Sequence, residues 1–109
     1  MAYDDGLAER IRGIFESMEN VVEKKMFGGL CFMVNGHMCC GLTQEDLMIR
    51  VGKPNYEKTL KKEYARPMDF TGKPLTGMIY VASRGISEDQ VLKDWVQLGL
   101  DFVKTLPPK

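Results

Sequence analysis

The chain has 109 residues, of which 44% are hydrophobic and 28% charged, and its formal net charge is zero. This length suits a single domain over residues 1–109, and the composition excludes a disordered or low-complexity protein. No apolar run approaches the roughly 20 residues of a transmembrane helix, and the acidic start of the chain is unlike a signal peptide. Three cysteines without a C-x-x-C pair are typical of free thiols in a reducing compartment, so we expect a cytoplasmic protein that does not contact membranes.

Charge is distributed unevenly along the chain. Residues 47–84 hold eight Lys or Arg against three Asp or Glu, whereas residues 1–46 hold four against eight. A basic middle third can contact an anionic partner. The zero net charge instead favours an ordinary solvated surface, because nucleic-acid-binding domains usually carry a net basic charge, so we expect only weak binding to DNA. The candidate binding residues of the middle third are Arg50, Lys53, Lys62, Arg66 and Lys73.

The first predicted elements are an amphipathic helix and a strand. Apolar residues recur at helical spacing over residues 4–18, and Asp4 or Asp5 can cap the start of this helix. Residues 21–27 then predict a strand, and its charged side chains place it toward an edge of the sheet.

A β-hairpin is predicted next, because Asn35-Gly36 separates two short apolar runs. A two-residue loop there predicts four pairs across the hairpin: Val34 with His37, Met33 with Met38, Phe32 with Cys39, and Cys31 with Cys40. Both faces of the hairpin are apolar, so we expect helices to cover one face, and a helix, a loop or a second subunit to cover the other. One face comprises Leu30, Phe32, Val34, His37 and Cys39, and the other comprises Cys31, Met33, Met38 and Cys40.

Two further strands enclose a short helix in the middle of the chain. Residues 47–51 and 78–81 each predict a strand, and Pro54 suits the first turn of the helix between them. Arg66-Pro67 breaks that helix. Its predicted apolar stripe is Tyr56, Leu60 and Tyr64.

The longest predicted helix follows a capping box formed by Ser87 and Gln90. Gly99 lies within the apolar stripe of this helix, and glycine weakens a helix by about 1 kcal/mol. We therefore expect Gly99 to make a close contact with the sheet, and Trp95 to be buried. The stripe comprises Val91, Leu92, Trp95, Val96, Gly99, Phe102, Val103 and Leu106.

Together these elements predict an α+β fold. Consecutive strands joined by short turns form an antiparallel sheet, here of about five strands. The sheet is accompanied by an N-terminal helix, a short middle helix and a long C-terminal helix.

The residues that could carry chemistry are His37 and the three cysteines, Cys31, Cys39 and Cys40. The predicted register directs Cys31 and Cys40 away from His37 and Cys39, so four ligands do not converge on one metal ion. Cys31 and Cys40 could form a strained disulfide, although small buried cysteines are the more common case. A Cys39–His37 nucleophile pair lacks an orienting carboxylate. We predict no catalytic residue, no metal site and no cofactor.

Five segments carry a joint pattern: Met26-Phe27-Gly28-Gly29, Phe32-Met33-Val34-Asn35-Gly36, Leu47-Met48-Ile49-Arg50, residues 66–72 and residues 78–81. This pattern resembles the N-terminal domain of the TfoX/Sxy family of competence regulators. The resemblance implies an α+β domain with no known catalytic residues and a role in transcriptional regulation. Because the sequence ends at Lys109, we expect a stand-alone domain without the helical C-terminal domain of full-length members. The motif residues Met26, Phe27, Gly28, Gly29, Asn35 and Gly36 are interpreted as structural. No P-loop sequence follows Gly28-Gly29, and a bulge or tight bend explains that pair.

Two functions are consistent with these observations. The first is a non-enzymatic regulatory or adaptor domain that acts through protein–protein contacts in competence-type transcriptional regulation, with another protein or a second copy of the chain as its partner. The alternative is direct binding of nucleic acid or a small anionic ligand by the basic middle third, which requires those basic residues to cluster in space. An enzyme ranks third, since no nucleophile–base–orienter set is visible.

Overall fold

The computed structural model describes residues 4–26, 28–44, 46–69, 72 and 76–107. Within these ranges three α-helices and a short 3₁₀-helix accompany a six-stranded antiparallel sheet, which confirms the α+β class. A sheet of about five strands was predicted, and the sixth strand arises because residues 65–67 pair with the last strand. The helices are α1 (Asp5–Phe15), α2 (Lys53–Leu60) and α3 (Asp89–Val103), with the 3₁₀-helix at Ser83–Ile86. The strands are β1 (Val21–Met26), β2 (Gly29–Val34), β3 (His37–Thr43), β4 (Asp46–Arg50), β5 (Ala65–Pro67) and β6 (Met78–Val81).

The sheet order is β1-β2-β3-β4-β6-β5, and every neighbouring pair is antiparallel. β1 is an edge strand, as its charged side chains predicted, and β5 forms the other edge. The helices pack on one face of this sheet, where most of the large aliphatic and aromatic side chains are buried. No helix in the described part of the chain combines the length and the apolar character needed to span a bilayer.

The predicted turn of the β2–β3 hairpin is confirmed. Asn35 and Gly36 both have positive φ angles, of 53° and 85°, as a two-residue type I′ turn requires. The first two predicted pairs are present as well: Val34 lies opposite His37, and Met33 opposite Met38.

Beyond the second pair, the predicted register is wrong because β3 contains a bulge. Phe32 pairs with Cys40 rather than Cys39, and Cys31 pairs with Gly41 rather than Cys40. An extra residue in one strand shifts every later side chain by one position. Cys40 therefore lies in the core beneath the helices, together with Cys39, and Cys31 remains on the opposite face.

Two helix predictions were also wrong at the helix ends. α3 begins at Asp89 after the N-cap Glu88, and no side chain caps it, because Ser87 ends the preceding 3₁₀-helix instead of forming a capping box. α2 ends at Leu60, so Tyr64 lies outside the helix, with a φ angle of 71°. At α1 the predicted cap is confirmed: Asp4 Oδ1 accepts a hydrogen bond of 2.8 Å from the Gly6 amide.

The expected contact between α3 and the sheet is confirmed at Gly99. A Cβ atom at this position would lie only 2.8 Å from the backbone oxygen of Cys39. Trp95, one turn earlier, is 7% exposed, as predicted. Three residues of the predicted stripe are not fully buried: Val91 is 36% exposed, and Phe102 and Leu106 are partly buried, with Leu106 beyond the end of α3.

The second face of the sheet is rich in methionine. Six of the eight methionines lie on it, around the buried residues Cys31 and Tyr80. We call this the methionine face: Met26, Met33, Met38, Met48, Met68 and Met78, with Cys31 and Tyr80.

Candidate functional site

Two of the basic residues singled out in the sequence, Arg50 and Lys53, line one surface cleft of about 320 Å³. The cleft lies where β4 runs into α2, beside the start of β6 and the end of α3. We call it the basic cleft. It is lined by Arg50, Gly52, Lys53, Pro54, Thr76, Gly77, Met78 and Phe102.

Two glycines shape the backbone at the base of this cleft. Gly52 and Gly77 have φ angles of 84° and 94°, which side-chain-bearing residues rarely adopt. The amides of Val51 and Gly52 both donate to the Gly77 oxygen, at 2.8 and 3.1 Å. These bonds join the segment after β4 to the segment before β6, and so fix the position from which Lys53 and Pro54 start α2.

Phe102 forms an aromatic wall of the cleft by packing directly on Gly52. A Cβ atom on Gly52 would overlap the Phe102 ring, so only glycine permits this approach. The guanidinium carbon of Arg50 lies 5.4 Å from the centroid of the same ring. This cation–π contact holds the Arg50 charge at the margin of an apolar surface.

The described residues that line the basic cleft carry a net positive charge. Its lining includes an arginine and a lysine, and no carboxylate is among the described residues that line it. Neither cation takes part in an ion pair within the described portion of the chain. The N-terminal end of α2 lies at the same place and adds a partial positive charge. The arrangement can therefore attract a small anion.

The remaining predicted binding residues are not part of this cleft. Lys62 Nζ lies 5.3 Å from the ring centroid of Trp95, which is seven residues, or about 10 Å, before Phe102 along α3. Arg66 stacks at 4.8 Å on Tyr80 of the methionine face and forms a 2.5 Å ion pair with Asp46. Lys73 lies outside the described residues.

The glycines of the Met26–Gly29 motif have a structural explanation. Gly28 has a φ angle of 75° in the turn after β1, and a Cβ atom on Gly29 would overlap the Leu42 oxygen. Met26 packs at the margin of the methionine face. The remaining member of the motif, Phe27, is outside the described residues.

His37 and the cysteines are engaged in packing. His37 Nε2 donates a 2.6 Å hydrogen bond to the carbonyl oxygen of Pro107, which ties the chain after α3 to the hairpin. All three thiols are free and buried, and burial raises the pKa of Cys31 to about 11 and that of Cys40 well above its ordinary value. Within the described ranges, His, Cys, Asp and Glu form no group of three or more that could hold a metal ion.

The sequence-based reasoning missed several residues of the cleft, namely Gly52, Thr76, Gly77 and Phe102. A signal was present in Gly52 and Gly77, since glycines that end one strand and precede another indicate backbone approaches that only glycine permits. Phe102 was predicted only as part of a helix stripe. Its contact with Gly52 spans 50 residues and has no local signature.

The part of the methionine face next to β1 is a second candidate surface, because its apolar side chains are exposed or only partly buried. Val22 on β1 is 54% exposed and pairs with Met33 of β2, which is itself only partly buried. Met26, four residues farther along β1, is also partly buried. Exposed apolar residues that adjoin flexible methionines are typical of surfaces that bind other proteins.

Comparison with known proteins identifies the family of the chain. No curated protein and no solved structure matches it. A protein family does match: residues 13–103 correspond to the TfoX N-terminal domain. Because this match covers nearly the whole chain, the protein belongs to the family of TfoX N-terminal domains.

Proposed function

We propose that this chain is a non-enzymatic regulatory domain that acts by binding a protein partner, in transcriptional regulation of the competence type. The observation that carries the proposal is the family match over residues 13–103, since membership of this family suggests a regulatory type of domain.

The state of the reactive side chains supports a non-catalytic role. A nucleophilic cysteine needs an accessible thiolate, whereas burial raises the pKa of Cys31 and Cys40. His37 uses Nε2 to bind a backbone carbonyl, so this nitrogen cannot act as a base. The two buried thiols and the bonded Nε2 atom therefore support a non-catalytic role.

The methionine face is the surface that we assign to the partner. The helices pack on the other face of the sheet, and the margin of the methionine face near β1 exposes Val22 beside Met33 and Met26. Methionine is unbranched and polarizable, so such a surface can adapt its shape to a partner at a low energetic cost. The partner expected here presents apolar side chains to Val22 and Met33.

The test places a photo-crosslinking amino acid at position 22 in the cell of origin, with position 91 as the matched control. Val22 and Val91 are both exposed valines, but Val91 is on α3, which packs on the opposite face of the sheet. In separate strains of the same organism, Val22→Asp or Val91→Asp replaces the chromosomal copy. The transcripts of these strains are compared with those of the parent and of a deletion strain. Thermal melts of the purified variants establish that both remain folded.

We expect a specific crosslink from position 22 and none from position 91. The transcript profile of the Val22→Asp strain should approach that of the deletion strain, and the profile of the Val91→Asp strain should resemble that of the parent. A crosslink between two copies would identify the partner as a homodimer mate. A deletion strain with an unaltered transcript profile would contradict the regulatory role. Loss of function in Val91→Asp alone would contradict the assigned surface.

A further inference from the structure

We propose that the basic cleft binds a small organic anion, a carboxylate or a phosphate monoester, with a flat apolar body. This inference does not depend on the proposed function, because it rests on the geometry of Arg50, Lys53 and Phe102 and not on the family. If both are correct, the anion is a ligand of the regulatory domain.

The charge of the lining favours an anionic ligand. Arg50 and Lys53 both line the cleft, Arg50 from the end of β4 and Lys53 from the start of α2. An arginine can bind a carboxylate or phosphate through two parallel hydrogen bonds, and a lysine adds a point charge. The described lining residues include two cations and no carboxylate, so a bound anion would balance the positive charge of the cleft.

Part of the lining is apolar and favours a ligand with an apolar body. Phe102, Met78 and Pro54 supply carbon surface next to the two cations. Ligand sites of proteins typically combine a mainly apolar wall with a few polar groups that fix orientation. A ligand that fits this lining carries its charge at one end and a ring or short chain at the other.

The size of the cleft suits a small molecule. The volume of about 320 Å³ lies at the lower end of the range of about 300–1,000 Å³ seen for small-molecule sites. A ligand with a single ring matches this volume, whereas a nucleic-acid backbone needs an extended basic surface. Lys62 and Arg66, which such a surface would need, lie instead against Trp95 and Tyr80.

Backbone and side-chain contacts hold the base of the cleft in place. The backbone at the base of the cleft is held by the two hydrogen bonds to the Gly77 oxygen and by the packing of Phe102 on Gly52. A site that is already formed does not lose affinity to the ordering of loops on binding.

The experiment uses the whole chain labelled with ¹⁵N and follows the amides of Gly52 and Gly77 by NMR. The probes are benzoate, phenyl phosphate, inorganic phosphate and benzamide, which is the neutral counterpart of benzoate. We expect saturable shifts of both amides with benzoate or phenyl phosphate. The affinity for benzamide should be at least tenfold weaker, because a neutral amide forms no charge-assisted hydrogen bond of the carboxylate type with Arg50 or Lys53. Binding of phenyl phosphate but not benzoate would assign a phosphate monoester, and the reverse a carboxylate.

Arg50→Gln and Lys53→Gln each remove one charge of the cleft, and Arg84→Gln serves as the matched control. Arg84 is an exposed arginine on the 3₁₀-helix and lines a different pocket. We expect about tenfold weaker binding in each cleft variant and unchanged binding in the control, with melting curves to confirm that all three are folded. The proposal is overturned if neither organic anion gives saturable shifts, or if benzamide binds as tightly as benzoate. It is also overturned if benzoate does not bind and inorganic phosphate binds as tightly as phenyl phosphate, because the apolar body would then contribute nothing. The last contrary outcome is an Arg84→Gln variant that weakens binding as much as Arg50→Gln does. Because these measurements involve no partner protein or transcript, their failure would leave the proposed function standing.

Discussion

The two faces of the sheet are built from alternate residues of the same strands, yet they differ in kind. The helix-covered face buries stiff side chains, such as Phe15 and Phe32, whose rings stack at 5.5 Å. The methionine face buries flexible ones around Cys31 and leaves Val22 exposed at its margin. Stiff side chains that interlock specify a single packing, whereas methionines tolerate a change of neighbour. The helix-covered face therefore carries most of the specificity of the fold, and the methionine face is the more adaptable.

Truncation of Trp95, the largest side chain that packs on the helix-covered face, gives the strongest test of the difference between the two faces. Trp95→Ala should lower the free energy of unfolding by about 3–5 kcal/mol, the usual result of removing a large buried aromatic. Trp95 is 7% exposed and packs in the main core, with Lys62 above its ring. Chemical denaturation monitored by circular dichroism measures the change. A decrease in the free energy of unfolding below about 1 kcal/mol would mean that the core on the helix-covered face contributes less to stability than expected.

On the methionine face, the buried thiol of Cys31 makes stability depend on alkaline pH. Desolvation raises its pKa from the ordinary value of 9.0 to about 11. The folded protein thus holds this proton more tightly than the unfolded chain, so the free energy of unfolding should fall as the pH rises from about 9 to about 11, by at most about 2–3 kcal/mol.

Cys31→Ala isolates that contribution, because Tyr80, Cys40 and the lysines titrate in both proteins. Denaturant melts at a series of pH values should show a steeper alkaline loss for the parent than for the variant. Parallel curves for the two proteins would show that water reaches the thiol, and the methionine face would then be open around Cys31 rather than closed.

The distance between α3 and the sheet can be tested at Gly99, with Gly13 as the matched control. Gly99→Ala should destabilise by about 1–3 kcal/mol, because the added Cβ would meet the Cys39 oxygen at 2.8 Å. Gly13 is also a helix-interior glycine, but nothing lies within 4 Å of the place that an added methyl group would take. Gly13→Ala should instead stabilise by about 0.5–1 kcal/mol through helix propensity. Equal effects of the two substitutions, measured by urea unfolding, would contradict the close contact on the helix-covered face.

Local patterns in the sequence determined most of the secondary structure. Helical periodicity located α1 and α3, the Asn35-Gly36 pair fixed the hairpin turn, and charged side chains placed β1 at an edge. These features depend on neighbouring residues, and so they can be identified without knowledge of the rest of the fold. Gly99 was also interpreted correctly, since a glycine inside a helix stripe requires a close neighbour.

Only the tertiary structure decided the features that depend on distant residues. The bulge at Cys39 has no local signature, and it moved Cys40 to the helix-covered face. Among the five basic candidates, folding brought Arg50 and Lys53 to one cleft and placed Lys62 and Arg66 on separate aromatic rings. The sequence by itself determined which residues are charged, apolar or conformationally free. Which of them meet was decided by the pairing of strands and by the packing of α3, because those contacts join residues that are far apart in the chain.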